Sequence, residues 1–156
     1  MEQSKTDFKN ILIIQTAFAG DVILTLPVLE AIKEKYPESK ISFLCIPNVA
    51  SIFDNNPFVD EVITYDKKDT QKGILQFFKF LKIIKSKNFD LIISPHRSLR
   101  STLISYFSKV RNTISFDVSA LSFKYKTRIV YKKNVHEIIR NLSLLAPIGI
   151  VKSEII

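Results

Sequence analysis

Ile11-Leu12-Ile13-Ile14-Gln15, then Thr16-Ala17-Phe18-Ala19-Gly20-Asp21, then Val22-Ile23-Leu24-Thr25-Leu26-Pro27-Val28-Leu29-Glu30-Ala31-Ile32 is the stretch whose reading decides the fold. Its opening run of branched apolar side chains fits a strand buried on both faces. From Val22 the apolar residues recur at Leu26, Leu29, Ile32 and Tyr36, the spacing of one helix face. The unit reads as strand, tight loop and helix over residues 11–36, with Gly20 and Asp21 at the loop–helix junction. Open α/β sheets place their ligands at such junctions, beyond the carboxyl end of a strand.

The same alternation continues along the chain. A turn at Tyr36-Pro37-Glu38-Ser39 precedes a second strand, Ile41 to Ile46. Pro47-Asn48 opens a short helix to Phe53, and Asp54-Asn55-Asn56-Pro57 closes it. Asp60 to Tyr65 predicts a third strand, and Asp66 to Lys72 a charged loop. The next helix runs from about Gly73 to Lys85. Ile74, Phe77, Phe78, Leu81 and Ile84 form its expected buried stripe, and Lys72, Lys79 and Lys82 share another face. Leu91 to Ser94 and Arg111 to Phe116 give the fourth and fifth strands, with a helix to about Phe107 between them. An irregular stretch from Asp117 leads into a short extended segment. A last helix starts at Asn134-Val135-His136-Glu137, and Pro147-Ile148-Gly149 ends it. Strands alternating with helices imply an α/β fold, a parallel sheet covered on both faces.

The chain has 156 residues, 46% of them apolar, enough for one compact domain with its own core. Its longest apolar runs fall far short of about 18 residues, so no membrane span is expected. The stretch Met1 to Lys9 is polar and lacks the basic start and apolar core of a secretory signal. The single Cys45 sits in an apolar strand and reads as a buried small hydrophobe. A reduced, cytoplasmic setting is its simplest home. Net charge is +8, from 23 Lys and Arg against 15 Asp and Glu. Such a balance suits an anionic partner: nucleic acid, an acidic membrane surface or a phosphorylated substrate.

Only Gly20, Gly73 and Gly149 supply glycine, so no dinucleotide or Walker-type loop is present and no cofactor is predicted. Two scattered histidines and one cysteine give no metal-binding spacing. No G-x-S-x-G element supports serine hydrolase chemistry.

Asp21 has two readings. It is a helix cap or first-turn carboxylate, or a general base at the mouth of a cleft. Gly20 beside it allows unusual backbone angles or close approach of a ligand to the main chain. Pro95-His96-Arg97-Ser98-Leu99-Arg100-Ser101 also follows a strand end and opens a helix. Either it binds an anion, or it presents solvated arginines and a capping Ser98. Lys124, Lys126, Arg128, Lys132 and Lys133 are interspersed with Phe123, Tyr125 and Tyr131. That mixture is a weak nucleic-acid signal and equally a surface for phosphorylated sugar and lipid, the preferred reading here. The lysines of the 73–85 helix are a solvated face or a contact for anionic lipid headgroups.

The segment Thr16 to Pro27 resembles the N-terminal element of the lipopolysaccharide heptosyltransferases: a strand, a small-residue loop, a Gly-Asp pair and Thr-Leu-Pro shortly after. The likeness continues in order through Tyr36-Pro37, Asn56-Pro57 with Val59-Asp60-Glu61-Val62-Ile63, His96-Arg97-Ser98, and His136-Glu137 with Leu142-Ser143-Leu144-Leu145. The details lie nearest to the second heptosyltransferase of the inner core. The resemblance implies a GT-B glycosyltransferase, two Rossmann-like domains facing each other across a cleft. This chain would be the N-terminal, acceptor-side domain over residues 1–149. Residues 150–156 would begin a linker, and the donor-binding domain would be absent. The implied reaction moves heptose from ADP-heptose to a hydroxyl of the lipopolysaccharide inner core, with inversion and without a metal. Asp21 would be the base. Gly20, His96, Arg97, Arg100 and Lys124 would meet the acceptor, and His136 would have an acceptor-side or structural role. The implied partners are the inner-core acceptor, the sugar nucleotide and an anionic membrane surface on the cytoplasmic side, with no nucleic acid. The other reading is a non-catalytic module that binds anionic glycolipid or membrane, or pairs with a separate donor subunit.

Overall fold

The computed structural model of the chain describes residues 7–66 and 73–152. Six strands form one parallel sheet: β1 (Asn10–Ile14), β2 (Lys40–Cys45), β3 (Glu61–Thr64), β4 (Leu91–Ser94), β5 (Asn112–Phe116) and β6 (Thr127–Ile129). Their order across the sheet is β3-β2-β1-β4-β5-β6. Ile13 of β1 stands opposite Phe43 of β2 on one side and Ile93 of β4 on the other. The helices are α1 (Ala19–Ile23), α2 (Leu26–Lys35), α3 (Ile74–Ser86), α4 (Leu99–Phe107) and α5 (Glu137–Ser143), with 3₁₀ turns at Pro47–Phe53, Ser122–Lys124 and Ala146–Ile148.

Strand alternation divides the core. Ile11, Ile13, Phe43 and Cys45 pack with Val28, Leu29 and Ile32 of α2 and Leu142 and Leu145 nearby. Leu12, Ile14, Leu44 and Ile92 face the other way, onto Phe80, Leu81 and Ile84 of α3 and Ile104 of α4. Ile11 to Ile14 are all fully buried, as a strand covered on both faces requires. Cys45 is buried among them, and burial pushes its thiol up to about 11. The α/β architecture expected from the sequence is therefore the one observed. Packing continues through Ile150.

Three elements differ from the sequence reading. The helix expected to run unbroken from Val22 breaks at Leu24-Thr25. Pro27, at the start of α2, has no N–H to donate backward, and its ring cannot follow a regular turn. Thr25 Oγ1 donates instead to the Asp21 carbonyl at 2.8 Å. The Leu24 carbonyl left over by the break accepts from Asn141 Nδ2 at 3.1 Å. Second, the buried stripe of α3 is Phe80, Leu81 and Ile84, with Phe77 half-buried. Ile74 and Phe78 face outward, at 69% and 54% exposure. Nothing among the described residues covers the first turn, so periodicity alone assigned it to the core. Third, the short extended segment is a sixth strand, paired so that Phe116 faces Ile129. The expected charged loop lies outside the described residues apart from Asp66, as do Lys72 and the tail beyond Lys152. Among the described residues, no helix is long and apolar enough to cross a membrane.

Candidate functional site

The strand order reverses between β1 and β4. One crossover leaves β1 toward β2 and the other leaves β4 toward β5, which opens a crevice beyond their carboxyl ends. Thr16 follows β1 there and His96 follows β4. Thr16 Oγ1 and His96 Nδ1 are 2.8 Å apart, and the Ser101 and Ser98 hydroxyls lie 3.1 and 3.3 Å from the same ring nitrogen. Ser98 also caps α4 by accepting from the Ser101 N–H at 3.1 Å. The imidazole is thus held by both sides of the crevice.

A cavity of about 640 Å³ opens at this point. Thr16, Ala17, Phe18 and Ala19 form one wall, Ile46 to Val49 another, and Tyr65, Asp66 and His96 the third. It is of the size that holds a small polar ligand such as a sugar. A second groove, about 780 Å³, runs between the starts of α3 and α4 and shares Thr16 with the first. Arg100 and Ser98 lie on it beside Ile74, Phe77 and Leu99. Arg100 is exposed, its guanidinium carbon 5.3 Å from the centre of the Tyr65 ring.

Gly20 and Asp21 stand in the first turn of α1, next to the Phe18-Ala19 wall but outside the lining itself. The N-cap of α1 is Phe18, with no side-chain cap bond, so Asp21 does not act as a cap. Its half-buried carboxylate makes no hydrogen bond or ion pair with the described residues. Gly20 has ordinary helical geometry, and a Cβ built on it meets nothing within 4 Å. Neither the fold nor local packing demands glycine at that position.

The remaining candidates lie apart from one another. Arg97 is exposed and stacks on Tyr131, its guanidinium carbon 4.5 Å from the ring centre. Tyr131 follows β6 at the same carboxyl end of the sheet. Its N–H donates to Asp117 Oδ1 at 3.1 Å, and Arg140 lies 4.4 Å from the same ring. Arg140 is buried and held by Glu137 at 2.5 Å and by the carbonyls of Lys132 and Val135 at 2.7 and 3.1 Å. His136 is exposed at the start of α5, and its Nδ1 accepts from the Ile138 N–H at 3.2 Å, a capping arrangement. Lys124 precedes β6, at the amino end of the parallel sheet and hence opposite the crevice. Its ammonium sits 4.3 Å over the Tyr106 ring. The fold therefore gathers Thr16, His96, Gly20, Asp21, Arg97 and Arg100 at one end and leaves Lys124 at the other.

Sequence reasoning singled out neither Asp66 nor Asn48, both in the cavity wall, nor Tyr131 as the platform for Arg97. Asp66 and Asn48 each lie just past a strand's carboxyl end, the rule that found Asp21. Tyr131 gave no such signal, because its strand has only three residues.

The fold is that of the Rossmann-like domain of a GT-B glycosyltransferase, with the crevice where such domains place ligands. Comparison with models of known protein families finds no match. Comparison with curated proteins finds similarity to the lipopolysaccharide heptosyltransferases. The chain is 29% identical to lipopolysaccharide heptosyltransferase 3 of Escherichia coli over 85% of its own length and 41% of that protein's. Among solved structures, a glycosyl transferase family 9 protein of Veillonella parvula superposes with a TM-score of 0.83. The identity is 24%, covering 95% of this chain and 44% of that one. The E. coli heptosyltransferase WaaC, solved with ADP-2-deoxy-2-fluoro heptose, gives 0.78 and 20%, over 93% of this chain and half of its own. The resemblance read from Thr16 to Leu145 is borne out, and the chain spans about two fifths of the length of the curated relatives it matches.

Proposed function

We propose that this chain is the N-terminal, acceptor-side domain of an inverting heptosyltransferase, with residues 1–149 as the domain and 150–156 as the start of a linker to a donor-binding domain. The observation that carries this reading is the Thr16 to Asp21 loop at the strand-order reversal, inside a similarity that covers 85% of the chain. ADP-heptose is the donor, held mainly by the other domain, and a hydroxyl of the lipopolysaccharide inner core is the acceptor. The acceptor oxygen attacks the anomeric carbon from the face opposite ADP. The bond from that carbon to the diphosphate breaks, ADP leaves with the electron pair, and Asp21 takes the hydroxyl proton. A carboxylate within hydrogen-bond reach is suited to that role, and the pairing of Asp21 with Gly20 beside the cavity supports it. No metal enters this scheme.

On the acceptor side, Arg97 and Arg100 offer exposed guanidiniums to carboxylates or phosphates, Arg100 from the second groove, and His96 lines the first cavity. Lys124 meets the acceptor only if a long glycolipid wraps the far end of the sheet. His136 contributes by fixing the start of α5. The test is heptose transfer from ADP-heptose to a truncated inner-core acceptor, by the polypeptide to which this chain belongs, by its Asp21→Asn variant, and by residues 1–156 alone. Transfer by the first, a loss of about two or more orders of magnitude in the second and none in the third support the reading. Absence of transfer by the first overturns it in favour of a glycolipid-binding module, which the charge of +8 would serve.

A further inference from the structure

The outer face of α3 has no partner among the described residues, and its composition is one-sided. Leu75, Phe78, Lys82 and Lys85 follow one another at spacings of three and four, so they form a single stripe, with Ile74 and Lys79 at its flanks. All six are exposed. Leu75 is 74% accessible and Ile74 69%, unusual for side chains of that size in a contiguous group. The helix holds no acidic residue to pair with its lysines. The apolar members occupy the first turns and the lysines the later ones.

The placement is specific as well. Ile74 lies on the groove that also carries Thr16 and Arg100, so the apolar tip is at the mouth of the crevice. Apolar side chains at one end of a helix and lysines along the same stripe match a bilayer surface. The apolar groups enter the boundary between headgroups and acyl chains, while the lysine heads stay at the level of anionic phosphates.

We propose that α3 docks this domain on anionic phospholipid bilayers, with Ile74, Leu75 and Phe78 inserted and Lys79, Lys82 and Lys85 on the headgroups. Docking in this pose turns the crevice toward the membrane, where an acceptor with a lipid anchor would present its sugar. The proposal rests on the exposure and charge of α3 and holds or fails independently of the transferase reading.

The test is flotation of the purified chain with mixed phosphatidylglycerol–phosphatidylethanolamine vesicles, against phosphatidylcholine vesicles. Binding is expected to the anionic vesicles only and to weaken with added salt. Each lysine removed from an anionic surface reduces partition about fivefold, so Lys79→Gln/Lys82→Gln/Lys85→Gln loses up to about a hundredfold. Leu75→Gln/Phe78→Gln, at constant charge, loses about tenfold or more. All five positions are exposed, and an unchanged thermal transition checks that each variant is folded. Lys9→Gln/Lys109→Gln/Arg111→Gln removes the same charge at exposed positions elsewhere and is expected to lose much less. Equal losses in the two charge-matched triples reduce the effect to general attraction and overturn the proposal. So does failure of the chain to float. If the Leu75→Gln/Phe78→Gln pair instead converts a dimer to a monomer and leaves flotation unchanged, the face belongs to a second copy and the proposal falls.

Discussion

Thr16 Oγ1 lies 2.8 Å from His96 Nδ1, a contact between residues eighty positions apart that joins the ends of β1 and β4 where the sheet reverses its order. Ser98 and Ser101 bring two more hydroxyls to the same nitrogen. Three oxygens around one ring nitrogen fix the plane of the imidazole, and with it one wall of the cavity. Thr16→Val removes one of them at nearly constant volume. The expected cost is about 0.5–1.5 kcal/mol in urea unfolding, with a shifted, broadened His96 ring resonance. Thr16→Ser keeps the oxygen and should leave both near wild type. An unmoved His96 signal in the valine variant would show that Thr16 does not hold the ring.

Asp21 separates two expectations cleanly, because its carboxylate has no partner among the described residues and α1 is not capped by it. A capping residue replaced by one that cannot cap costs about 1 kcal/mol of stability. Asp21→Ala is therefore expected to change the unfolding midpoint only slightly. Asp21→Asn in the transfer assay is expected to lose two to four orders of magnitude in rate. Near-normal transfer by the asparagine variant would remove Asp21 from the chemistry.

Gly20 gives the complementary experiment. Its backbone is helical and a methyl group there enters open space, so the chain alone gains from alanine. Gly20→Ala should raise stability by about 0.4–1 kcal/mol in chemical denaturation. If the acceptor or donor approaches this backbone closely, the same variant loses transfer activity although it is more stable. A variant both more stable and fully active would sink the idea of close approach.

The strand-end rule made much of this legible. A buried apolar run at Ile11–Ile14 fixed β1, and the alternation that follows fixed the parallel sheet, because both signals come from burial period. Asp21, His96, Arg97 and Arg100 were found because each stands close after a strand. What escaped depends on tertiary contact. The break after Ile23 is set by Pro27 and by Asn141 from the other end of the chain. The outward turn of Ile74 and Phe78 has no local cause, since a helix cannot know from its own sequence which residues will be covered. Lys124 shared composition with the basic residues near the crevice, and only the direction of β6 places it at the far end of the sheet.

Asn141 is 2% exposed and donates to the Leu24 carbonyl at the α1–α2 break. Without it that part-buried carbonyl has no hydrogen-bond donor among the described residues. Asn141→Leu is expected to cost about 1–3 kcal/mol in global stability. Amide exchange should speed up first in α1, the segment that carries Gly20 and Asp21. A leucine variant as stable as wild type would mean that water satisfies the break and that α5 does not hold it.

Acid stability should depend on the start of β3. Lys87 Nζ donates to Glu61 at 2.6 Å, and this bond holds the Glu61 carboxyl below its ordinary value of 4.5. Burial opposes the shift, and the charges of Lys87 and Lys40 add to it. Burial pushes Asp60 up, but the Ile41 N–H at 2.8 Å and the Lys33 ammonium at 3.0 Å outweigh it and bring it below 3.8. Both groups thus bind protons more weakly folded than unfolded. Their stabilisation is fully present above about pH 4.5 and is lost as the pH falls through the lowered folded values. Thermal unfolding from pH 7 down to pH 3 should show the wild type losing stability below about 4.5. Glu61→Gln should start less stable at pH 7 and decline less steeply, and the double variant Asp60→Asn/Glu61→Gln should be flatter still. Parallel curves for wild type and both variants would place the acid sensitivity outside this pair.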